Sequence, residues 1–202
     1  MKDRTQPDTR ERLLRAGEQL FRTQGYAGTG LKQLTQTADA PWGSLYHFFP
    51  EGKAQLGAEV LHYAGQLYGA GWQGVFKRYP HPGEAIEKVF LAEITTLTRS
   101  DYRDGCPITS VTMDVASTSE MLRAACAAAF DGWLAQIETG LRAAGAPEDA
   151  AKALAGFVLS ALEGAIVLSR AAKDPAALLQ SAKFVRQIID REAAAWASKT
   201  SD

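Results

Sequence analysis

Three features of the sequence predict an all-α protein. Apolar residues recur at helical spacing along nearly the whole chain, helix-starting and helix-ending residues punctuate that recurrence, and no stretch carries a competing strand pattern. At 202 residues, with 46% hydrophobic and 22% charged side chains, the chain can bury a core of its own and lies outside disordered or collagen-like compositions. The expected arrangement is a small three-helix domain over residues 8–53 and a larger helical domain over residues 54–200.

The first helix follows from Leu13, Leu14, Gly17, Leu20 and Phe21, which fall on one side, while Arg12, Arg15, Glu18, Gln19 and Arg22 occupy the other. Asp8, with Glu11 three residues on, supplies a start signal, and Gly25 supplies a left-handed stop. A second, short helix is expected after Thr29, whose hydroxyl would cap it, with Leu31, Leu34 and Ala38 inward. Asp39-Ala40-Pro41 breaks the pattern. Leu45 and Phe49, four apart, then give Trp42 to Phe49 one apolar side for a third helix, which Pro50-Glu51-Gly52 ends. Three short helices joined by tight turns form the packing unit of a helix-turn-helix. Beyond them helices are expected at about 51–77, 82–100, 107–116, 119–144, 147–173 and 175–198, separated by Pro80-His-Pro-Gly, Asp104-Gly-Cys-Pro, Gly145-Ala-Pro and Asp174-Pro.

Charge and cysteine content narrow the function class. The chain carries 22 basic against 23 acidic side chains, but residues 1–53 hold eight Lys or Arg against six Asp or Glu, so the small domain is the more basic part. Two cysteines make no disulfide framework, and the charged amino terminus lacks the apolar stretch of a secretory signal. The apolar run from Ala153 to Ser169 is interrupted by Glu163 and falls short of the ~20 residues that cross a bilayer. A cytoplasmic protein with no membrane span is expected.

The segment from Phe21-Arg-Thr-Gln-Gly-Tyr through Thr29-Gly-Leu-Lys-Gln-Leu-Thr, followed by Gly43-Ser-Leu-Tyr-His-Phe-Phe-Pro, resembles the DNA-binding domain of the TetR family of bacterial transcription repressors. Glu51-Gly-Lys-Ala-Gln-Leu and Asp104-Gly-Cys-Pro-Ile-Thr-Ser-Val-Thr-Met-Asp resemble its LmrA/YxaF-like branch, repressors tied to antibiotic or flavonoid response. The resemblance implies that Tyr46 and His47 touch the sugar-phosphate backbone, that Thr29 offers its hydroxyl and helix-start amide to a phosphate, and that Lys53 clamps the flanking strand. Gly43 would admit the duplex closely, and Ser44 would bond a base edge or phosphate. Thr29 as a cap, Tyr46 as packing and Lys53 as a solvated charge are the ordinary alternatives. The chain departs from the family at three places: Asp39 replaces a turn glycine, Trp42 a lysine at the start of the recognition helix, and Phe48 a histidine. Trp42 cannot pair with guanine but offers apolar contact to a thymine methyl.

For the larger domain the expectation is a cavity for a small, largely apolar effector, lined from Trp72, Phe76, Phe90, Met113, Phe130, Trp133 and Phe157, although aromatics at helical spacing also serve simply as core. The helix near 147–173 is apolar nearly all round, which predicts a homodimer, with Leu154, Phe157, Val158, Ala161, Leu162 and Ala165, joined by Val185 and Ile189 of the next helix, at the interface. Cys106, between Gly105 and Pro107, is a candidate thiol sensor or else a small buried residue. Enzyme readings fail. Gly69-Ala-Gly-Trp-Gln-Gly matches a dinucleotide fingerprint in letters but sits in helical surroundings, Gly43-Ser-Leu-Tyr lacks the second glycine of a nucleophile elbow, and the three histidines show no zinc spacing with the cysteines. No cofactor and no metal are expected. The partners expected are operator duplex, the apolar effector and a second copy of the chain. The competing reading is a helical small-molecule-binding or adaptor protein whose helix-turn-helix no longer works.

Overall fold

A computed structural model describes residues 8–199. Among them the elements are all helical: α1 (Thr9–Gln24), α2 (Leu31–Thr37), α3 (Trp42–Phe48), α4 (Lys53–Arg78), α5 (Pro82–Arg99), α6 (Pro107–Val115), α7 (Glu120–Ala143), α8 (Glu148–Ala172) and α9 (Ala176–Lys199). Most boundaries have a local cause. The Asp8 carboxylate accepts from the Glu11 amide at 2.8 Å and caps α1. Gly25 ends α1 at φ 71° and ψ −177°, a conformation essentially restricted to glycine, and an added Cβ would also collide with the Asp114 carboxylate. Pro82 and Pro107 stand at the first turns of α5 and α6, where a missing amide proton costs nothing. The start of α2 departs from expectation. Its cap is Gly30, and the Thr29 hydroxyl instead donates backward to the Gly25 carbonyl at 2.6 Å.

The chain forms two compact units. One comprises the residues up to Gly65 together with Pro107–Ala129; the other comprises Gln66–Cys106 and the residues from Phe130 onward. The unit that holds the three short helices is therefore larger than residues 8–53, taking in the first part of α4, all of α6 and the first part of α7. The cause is core area. Two of the three helices have only seven residues, so Leu13, Phe21, Leu34, Leu45 and Phe49, all fully buried, need Leu56, Val60, Leu61 and Val111 to complete their packing. Gly17 allows α1 to lie against Val60 of α4, where a methyl group would clash.

In the second unit α9 packs along α5 and against α8. Ile86, Phe90 and Leu97 of α5, Val158, Leu162 and Ile166 of α8, and Leu178, Val185 and Ile189 of α9 are buried there. By length and composition alone α8 is long and apolar enough to cross a membrane, unlike the shorter stretch read from sequence, yet its inward face is spent on this core. Phe90 thus belongs to the core rather than to a cavity wall.

Candidate nucleic-acid interface

The outward face of α3 is set by which of its residues the core takes. Leu45 and Phe49 are fully buried, as their spacing requires. Trp42 and Tyr46 are left 51% and 47% exposed, one turn apart, with ring centroids 6.0 Å apart in an edge-to-face arrangement. Gly43 and His47 are exposed beside them, and Ser44 is half-buried. A Cβ on Gly43 would meet nothing within 4 Å, so the helix surface is open there. Phe48, half-buried, packs its ring against His47 at 4.8 Å and lies near Phe49. Trp42, Gly43, Tyr46 and His47 are thus exposed on α3, with Ser44 at the margin.

The turn before α3 is held by a residue that sequence reasoning missed. Arg12 of α1 donates from Nε to the Ala38 carbonyl at 3.0 Å and from its terminal nitrogen to the Asp39 carbonyl at 2.9 Å. Asp39 occupies the left-handed region at φ 48°, where aspartate is tolerated better than most residues. The Ala40 amide donates back to Thr35 at 3.0 Å. The guanidinium therefore satisfies two carbonyls at the end of α2 and fixes the angle at which α3 leaves the turn.

The loop between α1 and α2 is tied down similarly. The Asp114 carboxylate of α6 accepts from the Ala27 amide at 3.1 Å, 87 residues away in sequence. Lys53, at the start of α4, donates to the Tyr26 carbonyl at 2.8 Å and lies 4.3 Å from the centre of the Tyr26 ring. Burial pushes the Lys53 ammonium below the usual lysine range, and the Asp114 charge partly opposes that; burial likewise pushes the Tyr26 phenol up. Lys53 is thus engaged with Tyr26. Thr29 is 1% exposed with its hydroxyl bonded to Gly25, so it pins the loop rather than facing solvent. Arg10 adds an ion pair to Glu59 of α4. Nothing in local spacing marks Arg12 or Asp114, because both act through backbone groups distant in sequence.

Beside α3 runs an open groove of about 800 Å³, lined by Lys32, Thr35 and Gln36 of α2, by Asp39 and Pro41 of the turn, and by Trp42.

The candidate effector residues do not form one set. Trp72 and Phe76 of α4 stack with centroids 6.4 Å apart, and Tyr68 and Phe130 both meet Trp133 edge-on at 5.9 and 5.6 Å. These lie in the second unit, with Trp72 and Trp133 buried and Phe76 and Phe130 half-buried. Met113 lies on α6 in the other unit and is 82% exposed. Phe157 is on the outside of α8, 42% exposed.

The expected interface residues divide as well. Val158, Leu162, Ala165, Val185 and Ile189 are buried within the chain itself, because a helix apolar on all sides spends one of them on its own core. The exposed side of α8 carries Phe157, Gly164 and Leu168, with Ala161 half-buried between them and Leu154 half-buried one turn earlier, and α9 adds exposed Phe184. Cys106 and Cys126 are both buried, and burial pushes the Cys126 thiol up. Among the described residues no cluster of three or more His, Cys, Asp or Glu is placed to hold a metal ion.

Comparison with known proteins agrees with this geometry. Residues 13–60 match the family described as bacterial regulatory proteins, tetR family, and residues 82–184 match the C-terminal domain of LmrA/YxaF-like transcriptional regulators. The chain is 34% identical to the transcriptional regulator LmrA of Bacillus subtilis over 185 residues, covering 91% of this chain and 98% of LmrA. It is 33% identical to YxaF of the same organism, covering 92% and 97%. Among solved structures, a TetR regulatory protein from Rhodobacter sphaeroides superposes with a TM-score of 0.78 at 21% identity, covering 89% of this chain and 97% of that one. Reduced Escherichia coli NemR superposes with a TM-score of 0.74 at 25% identity, covering 90% and 97%.

Proposed function

Because the chain belongs to the TetR family of bacterial transcription regulators, in its LmrA/YxaF-like branch, we propose that it is a cytoplasmic repressor released from its operator by a small apolar or aromatic effector. The carrying observation is the outward face of α3. Trp42, Gly43, Ser44, Tyr46 and His47 are presented together on a short helix whose inner side is fully buried and whose preceding turn is locked by Arg12. Such a helix enters the major groove with its first residues at base edges, while Tyr46 and His47 reach the sugar-phosphate backbone. Thr29 and Lys53 contribute by holding the α1–α2 loop, and the Lys53 ammonium, with three N–H donors, keeps capacity for a phosphate beside its bond to Tyr26.

Two copies are needed, because paired half-sites are read one helical turn apart, ~34–36 Å. The exposed apolar stripe of Phe157, Ala161 and Leu168, with Phe184, supplies the surface for that pairing. The effector acts by binding the DNA-incompetent state more tightly than the competent one, since equal affinity for both shifts nothing. Trp72, Phe76, Phe130 and Trp133 offer it an aromatic lining. Repression is supported by the name of a relative, the transcriptional repressor NemR of Escherichia coli, 47% identical over 66 residues, which cover 32% of this chain and 33% of NemR. The burial of Cys106 favours a packing role over a sensing one.

The test is a gel shift of DNA from upstream of the chain's own gene against unrelated DNA of equal length. Selective retardation that weakens steeply between about 50 and 200 mM salt is expected, as release of phosphate counterions demands. Equal binding to both duplexes would overturn the proposal.

A further inference from the structure

We propose that Trp42 sets the sequence specificity of this protein by covering the C5 methyl group of a thymine in each half-site. The inference rests on the reading of α3 as a recognition helix and adds which base that helix selects.

The indole is an apolar surface left 51% exposed at the first position of α3, where contact with base edges is made. Its plane is held from one side by the edge-on ring of Tyr46 at 6.0 Å, and Pro41 restricts the backbone before it. Gly43 beside it has open space above its Cα, so the duplex meets no side chain there. Trp42 also forms a wall of the groove shared with Lys32, Gln36 and Asp39. Asp39 among the lining residues brings a negative charge that disfavours a phosphate in this groove, and Lys32 supplies a cation that draws the flanking backbone alongside. A base edge is the occupant that this combination admits. Indole has one N–H donor and no acceptor, so it cannot form the bidentate pairs that select guanine or adenine. The apolar group that the major groove displays is the thymine methyl.

The experiment selects binding sites from a random-sequence duplex library with the full-length protein, then replaces thymines of the selected consensus one at a time by deoxyuridine, which removes only the methyl group. At one thymine of each half-site the replacement should weaken binding about fourfold singly and about fifteenfold when both half-sites are changed. Trp42→Ala should lose that sensitivity while still shifting DNA at low salt, and Trp42→Phe should keep part of it. Consensus DNA that binds equally well with deoxyuridine throughout would overturn the inference, as would undiminished deoxyuridine sensitivity in Trp42→Ala. Failure of the wild-type protein to enrich any sequence would instead overturn the DNA-binding reading beneath it. The wild-type measurement stands whether or not the variants fold.

Discussion

The two compact units differ in what chiefly sets the direction of their helices. In the unit that carries α3, charged side chains reach across the sequence to backbone groups: Arg12 to the Ala38 and Asp39 carbonyls, Asp114 to the Ala27 amide, Lys53 to the Tyr26 carbonyl. In the unit built on α5, α8 and α9, long helices interdigitate through Ile86, Phe90, Val158, Leu162 and Ile189; a tie of that kind also occurs there, from Arg170 to the Arg103 carbonyl, and the Arg186–Glu87 ion pair lies at the half-exposed margin. The difference follows from helix length. Seven-residue helices bury too little apolar surface to define their own angles, so polar ties to turn backbone supply direction. Helices of 18 to 25 residues define theirs by packing. A surface that meets DNA needs direction.

The comparison can be broken first at its apolar end. Phe90→Ala should cost about 3–5 kcal/mol of stability, the loss for emptying a fully buried aromatic site, and should appear as a large drop in the denaturant midpoint. Gly25→Ala should cost about 2–3 kcal/mol, because its backbone conformation admits essentially only glycine and its Cβ would strike Asp114. Arg12→Ala should cost about 1–2 kcal/mol, yet weaken specific DNA binding by more than the loss of folded protein explains, since the turn it releases aims α3. Binding measured at equal folded fraction separates those effects; a binding loss that vanishes on that scale would contradict the positioning role. The smallest change is Asp8→Ala, which removes the α1 cap for about 1 kcal/mol and should leave DNA affinity at low temperature unaltered.

These contrasts also explain what could be read in advance. The helix limits were legible because Asp8, Gly25, Pro41, Pro82 and Pro107 act on their immediate neighbours. The inward pair Leu45 and Phe49 was legible because a short helix with one apolar side has a single way to turn. Which side of α8 stays outside was not. In α8 Phe157 and Val158 are adjacent and similarly apolar, yet one is 42% exposed and the other fully buried, and a helix apolar on all sides gives periodicity nothing to distinguish them. Thr29 was misread because a hydroxyl at that place can cap forward or bond the carbonyl four residues back, and the tight turn after Gly25 selects the second. Arg12 and Asp114 were invisible for a third reason: their partners are backbone groups, which leave no trace in residue type.

The most direct test of the central claim, that two copies together present paired α3 surfaces to one operator, is sedimentation of the purified protein at micromolar concentration with and without a duplex selected by it. A dimer in free solution and an even number of protomers on each duplex are expected. A single protomer that sediments alone and binds the duplex one to one would contradict it.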